Sequence, residues 1–172
     1  MKKKQPLVNA SNVGTHGEYK TINHLLMRAS AIVYQQRDQV VRAFNLTAPQ
    51  FSALGIIRSR RGISSADLAR RSLKTPQTMS VIVANLEKMG LIVRHPHPVY
   101  KKVQRLEITD AGVELHNRCR EKVWENEKEM MLDCTDEEEK MIRQWLLRMI
   151  MHYEPLDDEA YLANISGMNQ PE

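Results

Sequence analysis

The chain has 172 residues, of which 42% are apolar and 5% aromatic, and its formal net charge is +4. This length is sufficient for one domain with a buried core, and the composition indicates a helix-rich fold rather than a sandwich or a barrel. The sequence contains no long apolar run, so we expect no membrane span. The basic N-terminus is not followed by the apolar core of a secretory signal, and we therefore expect a cytoplasmic protein.

The charge is unevenly distributed along the chain. Residues 1–120 contain 20 Lys and Arg against 7 Asp and Glu, whereas residues 121–172 contain 5 against 14. Within residues 58–105 there are 11 basic and 2 acidic residues, a balance of +9. A polyanion is therefore expected to bind the middle of the chain and not its C-terminal part.

The first third of the chain predicts a tail and two helices. Residues 1–17 are polar and lack periodicity, which is typical of a flexible tail. Apolar residues recur at helical spacing from about residue 18 to 44, in a stripe wide enough to pack on two sides. Thr47 and Gln50 form a capping-box signature for the second helix, which should end near Gly62 in a left-handed C-cap conformation.

A helix-turn-helix pattern follows. Ser64 is predicted to cap a short third helix, and Thr75 a fourth helix with Pro76 at its first position and Gly90 after its end. The side chains of the fourth helix that should face the core are Met79, Ile82, Val83 and Leu86. Those expected on the opposite face are Gln77, Thr78, Ser80, Val81, Ala84 and Asn85.

Two β-prone segments come next, residues 91–94 and 103–108, on either side of a basic loop that contains two prolines. They predict a β-hairpin, and the order helix, turn, helix, hairpin predicts a winged helix-turn-helix over residues 47–109. The predicted fold class is thus mainly α with a small β-hairpin wing (α+β).

Two helices are predicted after the hairpin. Thr109 should cap the first, over about residues 110–132, and Thr135 with Glu138 the second, which Pro155 ends. With the first helix they form the predicted dimerisation region, residues 18–46 and 110–152, followed by an acidic tail at 153–172.

A helix that enters the DNA major groove needs short polar side chains on its first turns. Thr75 fits this need, although it also caps the helix. Gln77 is able to bridge the two edge atoms of adenine, and Val81 to contact a thymine methyl group. Long cations in the hairpin loop suit the minor groove or the flanking phosphates. The predicted DNA-binding residues are Ser64, Thr75, Pro76, Gln77, Thr78, Ser80, Val81, Arg94, His95, His97, Tyr100, Lys101 and Lys102.

Further arginines surround this region, and we expect phosphate contacts for some and pairing with local acids for others. They are Arg58, Arg60, Arg61, Arg70 and Arg71. A metal role for His95 and His97 needs further ligands, and none are evident nearby.

Cys119 and Cys134 form neither a CxxC motif nor a metal-ligand spacing, and a buried structural role is their first interpretation. Neither a catalytic motif nor a cofactor fingerprint is present, so no enzyme activity and no cofactor are predicted.

The segment from Leu68-Ala69 through TPQTMSVIVANLEKMGLI to the LEIT sequence and Gly112 resembles, without gaps, the MarR family of bacterial winged helix-turn-helix regulators. A looser resemblance extends over about residues 20–152. It implies a homodimer that pairs through the first, fifth and sixth helices and sets two recognition helices about one DNA turn apart. It also implies a small-molecule cleft between the dimer helices and the DNA-binding lobe.

The chain departs from the family pattern at two places. The family wing often carries Asp-Arg-Arg where this chain has Tyr100, Lys101 and Lys102. The recognition helix often carries Arg at the position of Val81, so base reading is expected to depend on Gln77 and Thr78.

We therefore predict a homodimeric, ligand-responsive regulator of transcription, a repressor, whose partners are double-stranded DNA, a second copy of itself and a small-molecule effector, with no membrane. The predicted dimerisation residues are Leu25, Leu26, Met141, Ile142, Trp145, Leu146 and Met149. Two alternatives stay open: a thiol-based redox regulator that uses Cys119 or Cys134, and a winged-helix protein-interaction module without DNA binding.

Overall fold

The computed structural model describes residues 21–98, 103–130 and 134–153. Six helices and three strands lie in these ranges. In chain order they are α1 (Ile22–Arg42), α2 (Ala48–Ser59), β1 (Ile63–Ser64), α3 (Ser65–Arg71), α4 (Pro76–Lys88), β2 (Ile92–Pro96), β3 (Gln104–Ile108), α5 (Asp110–Met130) and α6 (Asp136–Tyr153). The predicted fold class, mainly α with a small β wing, is confirmed. No helix in these ranges is long and apolar enough to span a bilayer.

The chain divides into two compact units, with the boundary between Glu127 and Lys128 near the end of α5. Several predictions concern residues outside the described ranges: the tail at 1–17, the acidic tail from residue 154 onwards, and the stop at Pro155.

Most of the helices have a serine or threonine as their N-cap residue, as the sequence predicts. At α2 the capping box is complete, since Thr47 Oγ1 accepts from the amide of Gln50 at 3.4 Å and Gln50 Oε1 accepts from the amide of Thr47 at 2.8 Å. Each such side chain satisfies an amide that has no partner within its helix. The same type of cap is present at Ser64, Thr75, Thr109 and Thr135.

The end of α4 is fixed by Gly90, which has a φ of +71°. Its amide donates to the carbonyl of Glu87 at 2.9 Å, and the next amide, that of Leu91, donates to the carbonyl of Leu86 at 3.0 Å. This is the Schellman arrangement, which favours glycine because a left-handed backbone is strained for other residues. The predicted end of α4 is therefore confirmed.

Gly62 is also left-handed, with a φ of +76°, but it does not follow the C-cap of α2. That helix ends at Ser59 with Arg60 as its C-cap, so the predicted position is wrong. The Gly62 amide instead donates to the carbonyl of Leu106 at 3.2 Å. The left-handed residue turns the chain into β1, because strand pairing begins immediately after it.

The sheet has three antiparallel strands in the order β1-β3-β2. The expectation of a two-stranded hairpin is incomplete, since Ile63 pairs with Leu106 and so adds a further strand. Two residues are too few to produce a periodic pattern in the sequence. β2 also extends beyond the predicted Arg94 to Pro96, which an edge strand accepts because its outer amides need no partner in the sheet.

The core of the described chain is formed by α2, α3, α4 and the sheet, and its buried apolar side chains include Val41 of α1 and Cys119 of α5. Its largest fully buried side chains are Leu46, Leu54, Ile57, Leu68, Met79, Leu86, Ile92, Leu106, Val41, Val83 and Cys119. Within the single chain, Val41 is the buried residue of α1, and α6 has none. Among the described residues, the predicted two-sided packing of the first helix is therefore not present.

Candidate nucleic-acid interface

The two faces of α4 differ sharply. The side chains of Met79, Ile82, Val83 and Leu86 are between 0% and 8% exposed, so one face is anchored in the core. The predicted outer residues are all exposed: Gln77, Thr78, Ser80, Val81, Ala84 and Asn85. Both assignments from the 3.6-residue period are confirmed, and the outer face forms a free, uncharged surface.

The N-terminus of α4 is capped by a threonine side chain. Thr75 Oγ1 accepts from the amide of Thr78 at 3.2 Å, and the two threonine hydroxyl oxygens are 2.9 Å apart. Thr75, Pro76 and Gln77 are exposed in this first turn. Because the amides of a helix start carry partial positive charge, this end of α4 favours an anion such as a phosphate.

The turn between α3 and α4 brings cations to that end of α4. Leu73 has a φ of +50° and is 76% exposed, so the turn projects into solvent. Lys74, which follows it, is exposed as well. Arg70 is partly engaged, since its Nη2 lies 2.8 Å from Asp67 Oδ1 in a pair that is mostly exposed. A strained turn that carries a lysine next to a helix N-terminus is suited to contact a polyanion.

At the base of the wing the predicted DNA-binding side chains contact protein groups. Arg94 Nε donates to Glu87 Oε2 at 2.9 Å, which ties β2 to the last turns of α4. His95 Nε2 lies 3.8 Å from Glu107 Oε2 on the neighbouring strand. The wing tip residues Tyr100, Lys101 and Lys102 lie outside the described residues.

The arginines of the predicted cluster have separate roles. Arg58 turns inward, where its Nη1 donates to Asn117 Oδ1 and lies 3.3 Å from His116 Nδ1. Burial and the charge of Arg71 lower the pKa of Arg60. The expectation that some of these arginines pair with local acids is confirmed for Arg70, which pairs with Asp67.

His116 is a polar core residue that the sequence did not reveal. It is 7% exposed, and its ring stacks on that of Phe51. Burial and the nearby charges of Arg58 and Arg120 lower its pKa from 6.5 to about 4. The imidazole is therefore neutral at pH 7 and accepts the Arg58 hydrogen bond, because a guanidinium can only donate.

Both thiols are weakly acidic. Burial raises the pKa of Cys119 to about 11, and that of Cys134 is also raised, by desolvation and by the charges of Glu138 and Glu139. Thiolates are the reactive form, so neither environment favours redox chemistry. Among the described residues there is no group of three or more His, Cys, Asp or Glu side chains that fits a metal ion.

Apolar side chains lie exposed on α1 and on α6. On α1 Leu25 is 49% exposed, and Leu26 is partly buried. On α6 Met141 is 65%, Ile142 47% and Trp145 37% exposed, while Leu146 and Met149 are partly buried. Contiguous apolar surface of this kind is typical of an interface with another molecule.

Comparison with known proteins gives a consistent result. The MarR family model matches residues 44–101, which hold α2 to α4 and the start of the wing. The transcriptional regulator PecS of Dickeya dadantii is 28% identical over 131 residues, 74% of this chain and 78% of its own length. The part of the chain that holds α2 to α4 is therefore similar to the MarR family.

Another relative is an HTH-type transcriptional repressor of Mycobacterium tuberculosis, 33% identical over 73 residues. The match covers 42% of this chain and 52% of that protein, so the chain aligns with about half the length of this relative.

Solved structures of MarR-type proteins share the fold. A Staphylococcus aureus MepR–DNA complex superposes with a TM-score of 0.68 at 24% identity, covering 77% of this chain and 98% of MepR. A MarR family protein of Mycobacterium tuberculosis in complex with salicylic acid gives 0.63 at 24%, covering 75% and 96%. At these identities the likeness shows a common fold.

Proposed function

We propose that this chain is a regulator of transcription of the MarR family that binds DNA sequence-specifically, with α4 in the major groove. The observation that carries the proposal is the outer face of α4. It is exposed and uncharged, it starts at a capped N-terminus, and Lys74 precedes it in a projecting turn. The balance of +9 over residues 58–105 supplies long-range attraction to the phosphates.

The test is selection of duplex fragments from the upstream DNA of the protein's own gene or from a random pool, followed by fluorescence anisotropy. We expect Lys74→Glu to weaken binding at least about tenfold, because it reverses a charge at the groove edge. Lys140→Glu, an exposed lysine of α6, is the matched control and should bind as the wild type does. Failure to recover any fragment, or equal losses in both variants, would contradict the proposal.

We further propose that the regulator acts as a homodimer on a near-palindromic operator. The support is the apolar side chains of α1 and of α6 that are exposed to solvent in the single chain. A two-fold dimer presents two copies of α4, so half-sites about one helical turn apart are expected. Leu25→Lys and Trp145→Lys should each shift the protein to a monomer in sedimentation analysis, whereas Val81→Lys should not.

We also propose that the regulator represses transcription and that a small-molecule ligand releases it from DNA. The support is the salicylic acid complex and the repressor name among the relatives. A ligand that favours one spacing of the two reading helices needs only about 1–3 kcal/mol of coupling to release an operator. Ligand response is tested by screening aromatic carboxylates for a fall in the fluorescence anisotropy of the protein–DNA complex. A reporter gene behind the selected operator distinguishes repression from activation.

The alternative of a protein-interaction module without DNA binding is distinguished by the double variant Lys101→Ala/Lys102→Ala. A DNA-binding wing loses affinity when these charges are removed, whereas a pure protein-binding module has no DNA affinity to lose.

A further inference from the structure

We infer that α4 reads a half-site of A·T base pairs, with Val81 packed against a thymine methyl group and Gln77 paired with an adenine. This inference rests on the proposed DNA-binding function and specifies what that site recognises. It follows from which chemical groups the outer face of α4 contains and which it lacks.

We call the exposed side chains of α4 from residue 77 to residue 85 its reading face. They are Gln77, Thr78, Ser80, Val81, Ala84 and Asn85. None of the six carries a charge. The charged residues of α4 are Glu87 and Lys88 in its final turn, and Glu87 holds the Nε of Arg94 at 2.9 Å.

Base pairs differ in what they require of a protein. A guanine is recognised in the major groove by a bidentate Arg or Lys, and a cytosine amino group by a carboxylate. The reading face offers neither type of group. Adenine is recognised by a bidentate Gln or Asn, and a thymine methyl group by apolar contact. Gln77 and Asn85 supply the amides, and Val81 and Ala84 supply the apolar surface.

Val81 has the central place in this pattern. It follows Gln77 by four residues and Thr78 by three, and it precedes Asn85 by four, so these side chains are neighbours on the helix surface. Val81 is 62% exposed, although a β-branched residue on a helix surface has a lower helix propensity than alanine. Its apolar surface would be buried by a methyl group on the groove floor.

The neighbouring hydroxyl groups add little base discrimination. Thr78 Oγ1 is 2.9 Å from Thr75 Oγ1, so one hydrogen bond of this hydroxyl is already made within the cap. Serine and threonine hydroxyls also contact several different bases. Base choice therefore depends on the amide of Gln77 and the apolar surface of Val81.

The experiment removes the methyl group from the DNA and the methyl groups from the protein separately. Duplexes are selected from a random pool, and each thymine of the half-site is then replaced by deoxyuridine, which keeps every hydrogen-bonding group. We expect one position per half-site at which this change weakens the wild type by about threefold to tenfold. Val81→Ala should bind the thymine duplex with a similar loss and should lose nothing further on the deoxyuridine duplex.

Controls keep the outcomes separate. Val81 is exposed, so Val81→Ala should melt at or slightly above the wild-type temperature. Val93→Ala, at an exposed valine of β2, should retain the full effect of deoxyuridine at the Val81 position. Selection of G·C pairs under α4, or additive losses for Val81→Ala and deoxyuridine, would overturn the inference while DNA binding stands. Recovery of no duplex at all would overturn the proposed function and this inference together.

Discussion

The imidazole of His116 in α5 stacks on the ring of Phe51 in α2, with the ring centroids 4.9 Å apart and the planes inclined by 16°. The Nη1 of Arg58, in the last turn of α2, lies 3.3 Å from Nδ1 of the same imidazole. A Cβ added at Gly55 would meet its Nε2 at 3.1 Å. One buried side chain of α5 thus packs against α2, and it does so in its neutral state.

This arrangement makes stability depend on pH. The pKa of His116 is about 4 in the folded chain and 6.5 without the fold. Between these values the unfolded chain binds a proton that the folded chain does not, so stability falls as the pH decreases from 6.5 to 4. The maximum slope is about 1.4 kcal/mol per pH unit, and the total is about 3 kcal/mol. Urea unfolding across this pH range measures the slope.

We expect His116→Leu to remove that part of the pH dependence, since it removes the titrating group. His95→Gln, in which an exposed histidine is replaced, should retain it. Identical pH profiles for the wild type and His116→Leu would show that another group is responsible.

A second prediction compares two glycines. A Cβ at Gly112 would lie 2.2 Å from the carbonyl oxygen of Leu91, which is backbone and has little room to move. A Cβ at Gly90 meets nothing within 4 Å, and the strain there comes only from its φ of +71°. We expect Gly112→Ala to destabilise the protein by on the order of 3–5 kcal/mol and Gly90→Ala by about 1–2 kcal/mol. Denaturant unfolding gives both values, and the reverse order would refute the close packing of α5 on the end of α4.

A third prediction separates the two roles of Thr75. Aspartate is a good N-cap and its charge suits the helix dipole, so Thr75→Asp should stay within about 0.5 kcal/mol of the wild type, whereas Thr75→Ala should lose about 1 kcal/mol. A carboxylate facing phosphates should nevertheless reduce DNA affinity by at least about tenfold. Thr135→Asp, at the corresponding cap of α6, is the control and should leave affinity unchanged. Equal affinity of Thr75→Asp and wild type would mean that Thr75 is only a cap.

A fourth prediction concerns the thiols. Burial raises the pKa of Cys119 to about 11, so its thiolate is scarce at neutral pH. We expect at most one thiol, that of Cys134, to react rapidly with a disulfide reagent in the native protein, and both after unfolding. The Cys134→Ser variant should show no rapid thiol. A fast reaction in that variant, with loss of DNA binding on oxidation, would favour the redox alternative instead.

The sequence predicted those features that depend on local chemistry. The capping hydroxyls at Thr47, Ser64 and Thr75 are marked by residue type and spacing, and the two faces of α4 by helical period. β1 was missed because two residues have no period, and its pairing depends on β3, some forty residues later. His116 was missed for a related reason: its burial depends on Phe51 and Arg58, which are distant in the chain. Interactions between distant segments leave no short pattern.

The most direct test of DNA recognition by the exposed face of α4 is a salt titration. The purified chain is bound to its selected duplex, and the association constant is measured between about 50 and 200 mM salt. We expect the logarithm of this constant to fall linearly with the logarithm of salt concentration, with a slope steeper than about −3, and Lys74→Ala to make the slope shallower by about one unit per site. Binding that is absent at the lowest salt, or that does not change with salt, would contradict this function.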